Sequence, residues 1–97
     1  MKNLAKIKEL LKKNMKSLEE NYQVKVIGVF GSYSRGDSRK NSDIDILIEF
    51  SKTPDFFEFI RLEKSLENLL GIKVDMVTRN ALKASIKNEI LRETVYI

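Results

Sequence analysis

The apolar residues at the start of the chain recur at steps of three and four positions, with lysines between them. They are Leu4, Ile7, Leu11, Met15 and Leu18. Because this spacing places the apolar side chains on one face, it predicts an amphipathic helix from about residue 3 to residue 20. The pattern then changes to VKVIGVF, which is mostly apolar and rich in β-branched residues. Such a run predicts a strand that is buried on both faces.

A polar turn separates this strand from the next one. The segment GSYSRGDSRKNS is dense in turn-forming residues, and DIDILIEF follows it. Side chains two positions apart on a strand point to the same side. The pattern therefore predicts that Ile44, Ile46 and Ile48 share one face, while Asp43 and Asp45 share the other.

The second half of the chain predicts a helix, a short strand and a final helix. In DFFEFIRLEKSLENLL the apolar spacing is helical, Pro54 suits the first turn, and Gly71 is the expected C-terminal stop. The simplest interpretation of Phe56, Phe57 and Phe59 is that they belong to the core. IKVDMVT is predicted to be a strand with Asp75 at its middle. A helix over about residues 82–92 and an apolar tail, TVYI, complete the chain.

This order of elements predicts one α/β domain over residues 1–97. The 97 residues include no cysteine and no histidine, which excludes disulfides, thiol chemistry, Cys/His zinc sites and imidazole catalysis. The absence of cysteine fits a reducing cytoplasm, which is the predicted location. No apolar run approaches the roughly 20 residues of a membrane span, so no membrane association is expected.

The net charge of +4 is unevenly distributed. Residues 1–40 carry ten Lys and Arg and four Asp and Glu, whereas residues 41–97 carry eight and ten. A basic first half could favour a nucleotide or a nucleic acid. The simpler interpretation is a solvated helix face, because no aromatic residues alternate with these lysines and no nucleic-acid recognition motif is present.

The paired aspartates point to a cation. Asp43 and Asp45 would repel each other in a partly dry site, and a divalent ion bound by oxygen atoms, Mg²⁺ or Mn²⁺, would relieve this repulsion. Asp75 extends the pattern to a plausible two-metal site for phosphoryl or nucleotidyl transfer. Gly31, at the end of the first strand, would let backbone N–H groups approach a phosphate closely, next to Ser32. Arg35, Arg39 and Lys40 add positive charge to the same turn.

Together these residues resemble a known signature. Gly31-Ser32, ten residues and then Asp43-x-Asp45 resemble the DNA polymerase β-like nucleotidyltransferase superfamily, with Asp75 similar to its third acidic position. The short length and the wording GSYSRG…SDIDILI are most similar to the minimal nucleotidyltransferases. The resemblance covers residues 24–78 strongly. It implies a polymerase β palm-like fold, in which a small mixed sheet has helices packed on one face.

The resemblance also implies roles for individual residues. Gly31 and Ser32 would contact the β- and γ-phosphates of a nucleoside triphosphate such as ATP, and Arg35 is a candidate for a further phosphate contact. Asp43, Asp45 and Asp75 would be the catalytic residues and would bind two Mg²⁺ ions. For Arg35 an exposed ion pair with Asp37 is an open alternative.

The implied activity is the transfer of a nucleoside monophosphate to a hydroxyl group. In minimal nucleotidyltransferases the expected partner is a HEPN-domain protein. The nucleotidyltransferase would act as an antitoxin that neutralises this partner or adenylylates it. Larger members carry a further domain for the base and the acceptor, so here the acceptor site is expected to come from another chain. The alternative hypothesis is a non-catalytic antitoxin or interaction subunit that acts by binding, with TVYI and the aromatic helix as its interface.

Overall fold

The computed structural model describes residues 3–38 and 42–97. Arg39 and Lys40, predicted to be basic turn residues, lie outside this part of the chain. The helices and strands are α1 (Leu4–Tyr22), β1 (Val24–Phe30), α2 (Ser32–Arg35), β2 (Ile44–Phe50), α3 (Phe56–Leu70), β3 (Val74–Thr78), α4 (Ala84–Glu93) and β4 (Val95–Tyr96). The predicted order of elements is confirmed, and α2 and β4 are additions to it.

Local sequence explains where α3 begins and ends. The carboxylate of Asp55 accepts a hydrogen bond from the Glu58 N–H at 2.8 Å, and Gly71 ends the helix with φ +68°. The prediction that Pro54 lies in the first turn is wrong, because Asp55 is the cap and Pro54 precedes it. None of the helices in residues 3–38 and 42–97 is both long enough and apolar enough to cross a membrane.

The strands of the described chain form one mixed sheet. Their order is β3-β2-β1-β4; β1 runs antiparallel to β2 and β4, while β2 and β3 are parallel. The predicted α/β class with a small mixed sheet is confirmed. The tail was not predicted as a strand, since two residues are too short to show an alternating pattern. Its pairing places Val95 opposite Val29, and the Ile97 N–H donates to the Ile27 carbonyl at 3.0 Å.

The hydrophobic core covers one face of this sheet. Ile44, Ile46 and Ile48 are fully buried, as the alternating pattern of β2 predicts. The same core includes buried residues of the two long helices: Ile7, Leu11 and Leu18 from α1, and Leu62, Leu66 and Leu70 from α3. Because α1 and α3 cover this face, the polar side chains of β2 and β3 lie on the opposite one.

The prediction that the aromatic cluster belongs to the core is wrong for two of its three residues. Phe56 and Phe57 are 72% and 73% exposed, while Phe59 is half-buried and packs against Phe50 with ring centroids 6.4 Å apart. At about 100° per residue, Phe56 and Phe57 lie roughly 120° and 140° around α3 from the buried Leu62. The first turn of α3 therefore presents both rings to solvent.

Candidate active site

Asp45 and Asp75 lie side by side on neighbouring strands. They are register partners in the parallel pairing of β2 with β3, so their side chains leave the same face of the sheet. Asp45 is half-buried and Asp75 is exposed. The structure thus brings together two of the acidic residues that the sequence singled out, although thirty positions separate them along the chain.

Partial burial, together with this proximity, raises the pKa of Asp45 from 3.8 to about 6. Partial burial is the largest cause, followed by the negative charges of Asp75 and Asp43 and by a hydrogen bond to Asp75. The positive charge of Arg35 acts in the opposite direction. Two carboxylates can share a hydrogen bond only when one of them is protonated, so Asp45 retains a proton to unusually high pH.

Asp43 lies outside the register pair that Asp45 and Asp75 form. It is exposed and lies immediately before β2, although its charge still raises the pKa of Asp45. As the side chains lie, residues 3–38 and 42–97 contain no cluster of three acidic groups that could hold a metal ion. Asp75 already shares a hydrogen bond with Asp45, and the exposed side chain of Asp43 is free to turn toward them without displacing core atoms.

Gly31 lies directly against the carboxylate of Asp45. Its backbone has φ +72°, a region that favours glycine, and it follows Phe30, the register partner of Asp45. A Cβ atom added at Gly31 would overlap the Oδ2 atom of Asp45 and lie 3.1 Å from its Cγ atom. The Gly-Ser turn and the acidic pair are therefore parts of one site.

The short helix α2 organises the rest of the turn. The Gly31 carbonyl accepts hydrogen bonds from the N–H groups of Ser34 and Arg35, both at 3.1 Å, and from the Ser34 hydroxyl at 3.0 Å. Ser32 is half-buried at the start of α2. No hydrogen bond of its hydroxyl group is found within the described residues.

Arg35 reaches from the end of α2 to two acidic side chains. Its Nε atom donates to Asp37 Oδ2 at 3.2 Å, and its Nη1 atom lies 3.3 Å from Glu93 Oε2. The hydrogen bond with Asp37 and its charge, followed by those of Glu93, raise the pKa of Arg35 above its ordinary value. The exposed ion pair with Asp37, which was the alternative interpretation of Arg35, is thus present. The guanidinium group is still close enough to lower the pKa of Asp45.

Sequence reasoning missed Glu93, which meets the Gly-Ser turn. The Gly31 N–H donates to Glu93 Oε1 at 3.0 Å, and the same carboxylate pairs with Arg35. No spacing or motif relates residue 93 to residue 31. The contact arises because α4 ends at Glu93, directly before β4 pairs with β1.

Clefts on the described surface include one beside the turn and one at the far end of β2. A cleft of about 420 Å³ borders the turn and is lined by Tyr33, Ser34 and Arg35 together with the start of α1. A cleft of about 360 Å³ lies at the opposite end of β2, between Phe50, Phe59 and Arg79. The first is the better candidate for a substrate, because Arg35 lines it and α2 borders the Gly-Ser turn.

Comparison with known proteins identifies the family. The model of a family described as nucleotidyltransferase domain matches residues 8–97. The chain belongs to the nucleotidyltransferase domain family. The matched range includes every residue of the Gly31 turn and all three aspartates. The resemblance that the motif implied is therefore supported over nearly the whole chain, not only over residues 24–78.

Two curated relatives carry names that describe an activity. A Methanocaldococcus jannaschii protein, provisionally named protein adenylyltransferase MJ1215, is 55% identical over 84% of this chain and 95% of its own length. Protein adenylyltransferase MntA of Thermococcus cleftensis is 45% identical over 100% of this chain and 98% of its own length. Both are similar to this nucleotidyltransferase chain along most of their sequences.

Solved structures share the fold. A protein provisionally described as a minimal nucleotidyltransferase superposes with a TM-score of 0.81 at 31% identity, over 97% of this chain and 95% of its own. A chain from a toxin–antitoxin crystal structure with AMP-PNP superposes with a TM-score of 0.72 at 29% identity, over 88% of this chain and 69% of its own. The polymerase β-like architecture implied by the motif is thus shared with these neighbours.

Proposed function

We propose that this chain is a Mg²⁺-dependent nucleotidyltransferase that transfers AMP from ATP to a hydroxyl group of a HEPN-domain partner, as the antitoxin of a toxin–antitoxin pair. The observation that carries the proposal is the position of Gly31 against Asp45, which is itself beside Asp75. Phosphate-binding and acidic groups thus adjoin each other. The names of the adenylyltransferase relatives and the AMP-PNP bound in a neighbouring structure support the choice of AMP and ATP.

The phosphate side of the site consists of Gly31, Ser32 and Arg35. Because Gly31 has no Cβ atom, the Asp45 carboxylate lies directly against its backbone, and a phosphate bound by the turn would adjoin the acidic pair. The Ser32 hydroxyl would donate to the same phosphates. Arg35 would supply positive charge at the rim, where its position 3.3 Å from Glu93 indicates that it accommodates an oxyanion.

The acidic side has the donor chemistry of a magnesium site. Asp45 and Asp75 offer only oxygen atoms, and burial, followed by the charges of Asp75 and Asp43, raises the pKa of Asp45. Asp43 would complete the set once its exposed side chain turns inward. When bound, two Mg²⁺ ions would neutralise negative charge on the phosphates and lower the pKa of the acceptor hydroxyl.

The residues of the chain would then orient and deprotonate the acceptor. The hydroxyl oxygen of the partner attacks the α-phosphorus, the bond to the β-phosphate bridging oxygen breaks, and pyrophosphate leaves. Asp75, exposed at the sheet edge, accepts the hydroxyl proton. Asp45 is less accessible and has the role of a ligand. Residues 1–97 would form a single minimal domain, with the partner supplying the acceptor, and a cytoplasmic location stays a prediction.

A labelling experiment tests this proposal. The purified protein is incubated with Mg²⁺, the protein encoded by the adjacent gene, and ATP labelled either at the α- or at the γ-phosphate. Transfer of the α-label alone to the partner is expected, with a loss of at least about 10³-fold in D45N because a metal ligand is removed. E19Q, at an exposed residue of α1 that contacts none of the site residues, is the matched control and should retain activity. No α-label on the partner, with the native protein folded and bound to it, would overturn the proposal.

A second candidate function is neutralisation by binding alone. It is favoured by the exposed ring pair Phe56 and Phe57, whose centroids are 5.9 Å apart in an edge-to-face arrangement. The double variant D43A/D45A separates the two functions. If neutralisation of the partner survives this change, binding is sufficient; if it is lost while the complex still forms, catalysis is required.

A further inference from the structure

The carboxylate of Glu93 occupies the donors that a triphosphate would need. Its Oε1 atom accepts from the Gly31 N–H at 3.0 Å, and its two oxygens lie 3.5 and 3.3 Å from Arg35 Nη1. Gly31 is buried and its hydrogen bond to Glu93 is partly buried, whereas the contact of Glu93 with Arg35 is exposed to solvent. The backbone N–H and the guanidinium group together bind one oxyanion, which here is a side chain of the protein itself.

The fold holds Glu93 in this position from both sides. It is the last residue of α4, and the next residue, Thr94, is buried and donates from its hydroxyl to the Ile90 carbonyl at 2.7 Å. Two residues later the chain pairs with β1, where Tyr96 lies opposite Gly28. The backbone at Glu93 is therefore tied to the strand that leads into Gly31. Only its side-chain torsions are free to move the carboxylate away.

We propose that Glu93 is an internal competitor for the nucleotide: its carboxylate must leave the Gly31 N–H and Arg35 before the terminal phosphates of a nucleoside triphosphate can bind there. This inference rests on the proposed function. It assigns to Glu93 a role in setting the affinity for the nucleotide and in discriminating triphosphates from monophosphates. A triphosphate reaches the donors that Glu93 holds, whereas a monophosphate does not need them.

The competition predicts the direction of a mutational effect. If the binding-competent state is populated only when Glu93 is displaced, the apparent dissociation constant is the intrinsic one divided by that population. E93Q keeps an oxygen acceptor for the Gly31 N–H but loses the charge that pairs with Arg35. E93A removes both contacts. Each change should therefore increase the affinity for a triphosphate and leave the affinity for AMP unchanged.

The test is a calorimetric titration of the full chain with AMP-PNP and with AMP, both in the presence of Mg²⁺. AMP-PNP should bind about 3- to 10-fold more tightly to E93Q and E93A than to the native protein, while AMP affinity changes less than twofold. E89Q removes the same charge from an exposed position of α4 and is the matched control, with both affinities unchanged. In the native protein, the ¹⁵N signal of the Gly31 amide should shift with AMP-PNP and not with AMP.

Other outcomes would overturn the inference. Equal or weaker AMP-PNP binding by E93Q would mean that Glu93 supports the turn instead of competing for it. If the affinity for AMP rose equally, or if E89Q showed the same gain in AMP-PNP affinity, the effect would come from the change in net charge and not from the position of Glu93. If neither the native protein nor E93Q binds AMP-PNP, the proposed function itself fails. Binding by the native protein without a gain in E93Q contradicts the role of Glu93 alone.

Discussion

Asp45 and Asp75 are register partners on parallel strands, so two carboxylates of like charge share one face of the sheet. Such a pair destabilises a folded chain unless a proton or a cation neutralises it. Here the pair lies on the face of the sheet opposite to the fully buried isoleucines. Such a destabilising pair of carboxylates is expected at a site that is specialised for binding a ligand.

The first prediction is that D45N stabilises the metal-free protein at neutral pH. Below about pH 4, Asp45 is protonated in both the folded and the unfolded chain. Between about pH 4 and pH 6 only the folded chain keeps the proton, so stability falls as pH rises and the loss is complete above pH 6. Because Asp45 is only half-buried, we expect the gain in D45N at pH 7.5 to be about 1–2 kcal/mol, after a discount for solvent screening.

Urea unfolding in EDTA between pH 4 and pH 8 measures this effect. The native protein should lose stability across the window, while D45N should show a flatter profile. D43N, at an exposed position, should gain less than D45N. A D45N protein that is less stable than the native one at pH 7.5 would contradict the assignment of burial as the main cause.

The second prediction concerns the two glycines of the turn. In G31A the new Cβ atom meets the Asp45 carboxylate and the backbone must keep a positive φ, so we expect a loss of about 2–4 kcal/mol and no nucleotide binding. G36A has a similar φ of +79° but nothing within 4 Å of its Cβ atom, so it should cost only about 1–2 kcal/mol. Thermal unfolding compares the two, and equal losses would show that Gly31 does not contact Asp45.

The third prediction concerns the exposed aromatic pair. F56S/F57S should change the free energy of unfolding by less than about 0.5 kcal/mol, because both rings already face solvent. L66A, on the buried side of the same helix, should cost about 2–5 kcal/mol. Chemical denaturation measures the free energy of unfolding of both variants. A large loss in the double variant would mean that these rings pack in solution.

The fourth prediction concerns the C-terminal strand. Deletion of residues 95–97 removes the pairing of β4 with β1 and the hydrogen bond from Ile97 to Ile27. We expect a loss of about 1–3 kcal/mol in unfolding free energy, since each lost hydrogen bond contributes about 1 kcal/mol. Y96S keeps the backbone pairing and should cost less. A deletion with native stability would show that β4 does not form.

Much of the fold could be predicted from local sequence. The three- and four-residue spacing of Leu4, Ile7 and Leu11 predicts α1, and the alternation of Ile44, Ile46 and Ile48 predicts the buried face of β2. Both features depend on side chains a few positions apart, for which backbone geometry alone sets the relationship. The spacing from Gly31-Ser32 to Asp43 is informative through its resemblance to the nucleotidyltransferase signature.

The tertiary structure decided the relationships between distant residues. Asp75 meets Asp45 because α3 returns the chain to a parallel register beside β2, and Glu93 meets Gly31 because β4 pairs with β1. The exposure of Phe56 and Phe57 follows from how α3 rotates its leucines toward the sheet. Strand register and helix rotation are set by the packing of the whole core at once, so no local pattern encodes them. The residue types for the chemistry are visible in the sequence, and their assembly into one site is a property of the packed fold.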